Sequence, residues 1–165
     1  MAFKFEKLDV WKLSLDYVDL IYDLSEQLPK HEQFNLRSQI RRAATSVSLN
    51  IAEGSTGQSD KEQSRFLGMA LRSLMETVAC LHLIYRRGYL EDREPLRDAY
   101  RSAENLAIKI QRMRRIITPN PTYLKEETVT YKVKTPTPFD EIPTPSSVVA
   151  PQALSSVVVA SNHDN

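Results

Sequence analysis

A chain of 165 residues, 41% hydrophobic and 26% charged, has the size and composition of one ordinary domain with an appendage. A formal net charge of +1 excludes a strongly basic or acidic partner-binding chain, and a lone cysteine, Cys80, excludes an internal disulfide framework and a Cys-based zinc site. No apolar run reaches the roughly 20 residues that cross a bilayer, and charges interrupt MAFKFEKLDVWK too often for a signal peptide, so a cytoplasmic protein with no membrane partner is expected.

The first predicted element covers residues 8 to 28. Trp11, Leu15, Val18 and Tyr22 form one apolar seam and Tyr17, Leu20, Leu24 and Leu28 an adjacent one, opposite a polar face of Lys12, Asp16, Asp19 and Asp23. Pro29 closes it. A second helix is expected from about Asn35 to Glu53, with Leu36, Ile40, Ala43, Ala44, Val47 and Ile51 inward and Leu49 stranded on the polar side, where another subunit would cover it. Gly54 suits the left-handed position after a helix end. Glu53 then sits at the negative end of the helix dipole, which calls for Arg65 or Arg72, loop N–H groups, or an arginine of a neighbouring subunit to offset it. Asn50 carries donors and an acceptor that could tie the following GSTGQSD turn to the helix, so Asn50, Glu53 and Gly54 are read as a structural motif.

Ser59 and Glu62 form a capping box that opens the third helix, whose stripe Leu67, Leu71, Leu74, Val78, Leu81 and Tyr85 is unbroken up to Gly88. The fourth carries Pro95 in its first turn, then Leu96, Ala99, Ala103, Leu106, Ile110, Met113 and Ile117. Four amphipathic helices with short links imply an all-α, antiparallel up-down four-helix bundle over residues 1–118. Seven of the nine prolines follow Thr118, so residues 119–165 read as a largely disordered tail rich in Pro, Ser, Thr and Val. Within it, TVTYKV at 128–133 alternates like a strand and SSVVVAS at 155–161 has the character of a docking peptide.

The run QIRRAATSVSLNIAEGS, with FEKLDVWKLS before it and RFLGMALRSLMET after it, resembles bacterial four-helix-bundle proteins of the ribosomal RNA intervening-sequence type, over about residues 3–117. The resemblance implies a homopentamer. It also implies kinship with accessory variability proteins of diversity-generating retroelements, basic pentamers that contact nucleic acid and a reverse transcriptase. Arg72 stands where such proteins commonly carry glycine.

Chemistry is sparse. GSTG at 54–57 lacks the spacing and lysine of a phosphate cradle, and Glu76 precedes His82 by six residues where a di-iron bundle needs three. No catalytic set, metal site or cofactor is expected. Basic residues gather at Arg37, Arg41 and Arg42, which open the second helix, and at Lys109, Arg112, Arg114 and Arg115, which close the fourth. Up to Thr118 there are 19 Lys and Arg against 16 Asp and Glu, and beyond it 3 against 5. A ring would multiply these patches, and phosphate backbones respond to summed charge, so the expected role is a non-enzymatic oligomer binding RNA or DNA. The alternative is a scaffold that docks a protein partner through its ring surface or tail.

Overall fold

The computed structural model describes residues 3–57, 59–119 and 137–140. A 3-10 turn at Lys4–Lys7 leads into α1, Asp9–Glu26, and a second at Lys30–Glu32 leads into α2, Leu36–Thr56; α3, Asp60–Arg87, and α4, Glu94–Ile117, complete the bundle. Each helix packs on two neighbours: α1 on α2 and α4, and α3 on α2 and α4. The connections are short, so consecutive helices run antiparallel. Along the α2–α3 seam, Ser46 Oγ meets Ser73 Oγ at 2.9 Å and Gln39 bonds Glu76.

Local signals set the ends. Ser59 Oγ accepts the Glu62 N–H at 3.3 Å, which satisfies one orphan donor of α3, and Gly88 takes φ 64° in the left-handed cap. The start of α2 is held differently. Glu32, buried, accepts the Leu36 N–H at 3.2 Å and the Asn35 amide at 3.0 Å, while its other oxygen accepts the Tyr89 hydroxyl at 2.6 Å. The Tyr89 bond, followed by the Leu36 N–H, holds the Glu32 carboxyl below the usual carboxylate range.

The core stripes of α2, α3 and α4 fall where the periodicity puts them, with Ile40, Ala44, Val47, Leu74, Leu81, Ala103 and Ile110 buried. Over residues 8 to 28 the buried seam is Tyr17, Ile21, Leu24 and Leu28, whereas Leu15 and Tyr22 of one expected seam and Leu20 of the other are exposed. Leu49 is exposed as expected. One 18-residue window of α3 is apolar enough, by average composition, to pass for a membrane span, although it contains Arg72 and Glu76. In the fold, Leu67, Leu74, Leu81 and Ile84 of that helix are buried in the bundle. The Cys80 thiol is buried, and burial, reinforced by the charge of Glu76, pushes it up to about 11.

Tyr17 reaches diagonally across the core from α1 to α3, where its hydroxyl lies 2.5 Å from Thr77 Oγ1. Thr77 has one hydroxyl proton and donates it to the Leu74 carbonyl at 2.7 Å, so Tyr17 is the donor in the pair. Burial pushes the Tyr17 hydroxyl well above its ordinary range. The direction of donation makes the two deletions unequal. Tyr17→Phe leaves Thr77 bonded to Leu74 and should cost about 1 kcal/mol, whereas Thr77→Val strands a buried hydroxyl proton and should cost about 1.5 to 2 kcal/mol. Urea unfolding of both variants checks the order; the reverse order would show that the donor is Thr77.

One expected helix end changes. Gly54 does not end α2, which runs two residues further to Thr56; it is buried in the last turn, where an added Cβ would lie 2.8 Å from Phe66 Cβ. Within the segment beyond Thr118, read as a largely disordered tail, a turn at Thr137–Asp140 lies on the bundle. The stretches 128–133 and 155–161 lie outside the described residues.

Candidate nucleic-acid interface

The basic residues singled out in the sequence divide between the two ends of the bundle. The start of α2 lies beside the end of α1, and there Arg37 is engaged with the chain itself. It donates to the carbonyls of Glu26, the last residue of α1, at 3.0 Å and of Leu28, just beyond it, at 2.7 Å. Arg41 donates to Ser25 Oγ at 2.6 Å, pairs with the Glu26 carboxylate and covers the Tyr22 ring at 4.6 Å. The bond from Arg41, followed by its charge, holds the Glu26 carboxyl below the usual range. Arg42 is exposed and donates to Gln39 at 2.6 Å. Arg37 and Arg41 thus fasten α1 to α2, and of the three only Arg42 stands out toward solvent.

The opposite end carries the start of α3 and the end of α4. Lys109, Arg112 and Arg115 are exposed there and make no ion pair among the described residues. Arg114 behaves differently. Its guanidinium lies across Gly68 of α3, so close that a Cβ on Gly68 would sit 3.4 Å from Arg114 Nη2. Its Nε is buried without a partner among the described residues.

Beside Arg114 opens a groove of about 640 Å³, lined among others by Lys61, Arg65, Met69, Arg72 and Thr118. Arg65 and Arg72 are exposed and make no ion pair among the described residues; the Arg65 guanidinium stacks over the Phe66 ring at 4.8 Å. The groove wall holds four cations, Lys61, Arg65, Arg72 and Arg114, against one carboxylate, Glu62. In the sequence Arg65 and Arg72 stand out as candidate partners for Glu53, and Arg72 also as a departure from the family pattern. Their spacing of seven residues, with Gly68 between them, places all three on one face of α3 and is the signal that could have found the groove.

The NIAEG residues lie on α2 near that end. The Asn50 amide donates to Ser46 O at 2.7 Å and Ser46 Oγ at 3.0 Å, within its own helix and away from the following turn. Glu53 is exposed and makes no ion pair among the described residues, so neither Arg65 nor Arg72 offsets it. At an exposed site the dipole cost is a few tenths of a kcal/mol, small enough to stand alone.

Guanidinium groups are planar, always charged and matched in geometry to phosphate oxygens, so three of them on one groove form an anion-binding surface. Among the described residues no three His, Cys, Asp or Glu side chains converge. The family model described as 23S rRNA-intervening sequence protein matches residues 6–115, from the first 3-10 turn almost to the end of α4. No curated protein matches the chain.

Proposed function

Because the chain belongs to the 23S rRNA-intervening sequence protein family, we propose that it is a non-enzymatic, cytoplasmic binding protein that takes up RNA or DNA through phosphate contacts. The observation that carries this reading is the concentration of Arg65, Arg72 and Arg114 on one groove, with Lys61 on its wall and Lys109, Arg112 and Arg115 on the same end of the bundle. Such a surface contacts backbone and reads no base sequence. Self-association strengthens it. Leu49 and Phe34, 62% and 90% exposed, lie with Tyr22 along one α1–α2 groove, an apolar surface that a second copy would cover. The pentamer expected from the resemblance would present five arginine grooves at once, and a reverse transcriptase is the protein partner that the same resemblance suggests.

Anisotropy of a labelled 20-nucleotide RNA and a labelled duplex, titrated with the full chain, tests the nucleic-acid role. The logarithm of the affinity is expected to fall linearly with the logarithm of salt, losing at least tenfold between about 50 and about 200 mM. Absence of binding at the lower salt would refute it. A scattering mass of one 18.9 kDa chain at micromolar concentration would refute the assembly.

A further inference from the structure

Thr137, Pro138, Phe139 and Asp140 form a single turn. The Asp140 N–H donates to Thr137 O at 3.0 Å, and Pro138 occupies the second position, where its fixed φ suits a β-turn. The Thr137 N–H donates back to Asp140 Oδ2 at 2.5 Å, which closes the turn from both sides. At its tip Phe139 is completely buried. The ring lies 5.2 Å from those of His82 and Tyr85 on α3, and 5.6 Å from that of Tyr100 on α4, which it meets edge-on at 87°. One residue later, Asp140 Oδ1 accepts Arg97 Nε at 2.5 Å, and Glu94 steadies the same guanidinium at 2.6 Å. Burial acts to raise the Asp140 carboxyl, but the bonds from Arg97 and Thr137 outweigh it and hold the group below its ordinary range.

The socket is built from residues three apart on each helix, His82 with Tyr85 and Arg97 with Tyr100, so the bundle supplies it complete. Among the described residues, the turn places an aromatic ring in a pocket of the bundle and sets the carboxylate that follows it on a cation, and Thr137 is buried as well. That is how short peptides are recognised by folded domains, through a buried anchor and one charged contact. We propose that the α3–α4 face is a peptide-recognition site for a Phe–Asp pair on a proline turn, and that its resident ligand is the chain's own Thr137–Asp140 segment, held in cis and displaceable by a competing peptide. The reach is ample. Arg97 and Thr118 are separated by about 31 Å of helix, and the 18 residues 119–136 could span about 60 Å when extended. The socket lies toward the start of α4, at the far end from the arginine groove, so the proposal stands or falls independently of nucleic-acid binding.

The test uses the full chain and a labelled peptide of residues 135–143, TPTPFDEIP. Phe139→Ala vacates the socket, so this variant should bind the labelled peptide at least tenfold more tightly than the unaltered chain, whose socket is filled. Adding Arg97→Ala to the variant should return most of that gain. Thr137 Oγ1 is buried with no partner among the described residues, so a peptide carrying valine there should bind as well as the original. Circular dichroism verifies that the variants stay helical. A second measurement needs no variant: about 1 mM free peptide, comparable with the effective concentration of a tethered segment, should speed tryptic cleavage after Lys134 about threefold, and a peptide with Ala for Phe should not. No binding by a helical Phe139→Ala chain, or no change in cleavage after Lys134, overturns the proposal. Conversion of a multimer to single chains by Phe139→Ala overturns the cis assignment.

Discussion

Arg65→Glu combined with Arg72→Glu is expected to weaken binding of RNA or duplex DNA by about a hundredfold at low salt while leaving the melting temperature within a few degrees of the unaltered chain. Both side chains are exposed, and neither makes an ion pair among the described residues. Reversing them therefore breaks little that holds the bundle together, yet each reversal replaces an attraction to phosphate by a repulsion, worth about tenfold. The same pair of changes at the other end should do the opposite. Arg37→Glu with Arg41→Glu removes donors to Glu26, Leu28 and Ser25 and places new carboxylates against the carbonyl end of α1. That variant should lose stability and retain much of its affinity wherever it stays folded. Anisotropy and thermal unfolding, run on both variants, read the two quantities separately. Undiminished affinity in the Arg65/Arg72 variant would remove the groove from the binding surface.

The second large effect is on stability. Gly54→Val should cost about 3 kcal/mol and lower the melting temperature by roughly 10 °C. A Cβ at this position would lie 2.8 Å from Phe66 Cβ and 3.4 Å from the Gln63 carbonyl. Phe66 Cβ is bonded directly to the backbone of α3 and cannot swing aside as the end of a long side chain would, so α2 and α3 must part. Gly54→Ala meets the same contact but regains about 1 kcal/mol of helix propensity, so its loss should be clearly smaller. Differential scanning calorimetry of the two variants measures the difference. A Val variant that melts with the unaltered chain would show that the helices do not approach as closely as described.

Asn50 and Gly54 mark where reading the chain as a string of local signals stopped working. A glycine followed by Ser-Thr-Gly has the composition of a helix end, and the C-cap of α2 is indeed a glycine, but it is Gly57. Gly54 serves a contact with α3, twelve residues on at Phe66, which no helix-ending rule contains. In α1 two apolar seams overlapped, and the one that faces inward is chosen by Tyr17 and Thr77, sixty residues apart. The arginines illustrate the same limit. Their positions were legible, but Arg37 and Arg41 are absorbed by the end of α1, whereas Arg65 and Arg72 are left over.

The sequence by itself determined the four helices, the core-facing stripes of α2, α3 and α4, the cap at Ser59 and the stop at Gly88, because each of these depends on residues within one or two turns of one another. The tertiary structure alone decided which cations remain for a partner, why Gly54 has no side chain, and that Phe139 belongs to the bundle although it lies in a proline-rich segment without periodicity. These depend on what stands opposite a residue in space, and a contact made across the gap between two helices leaves no period in either.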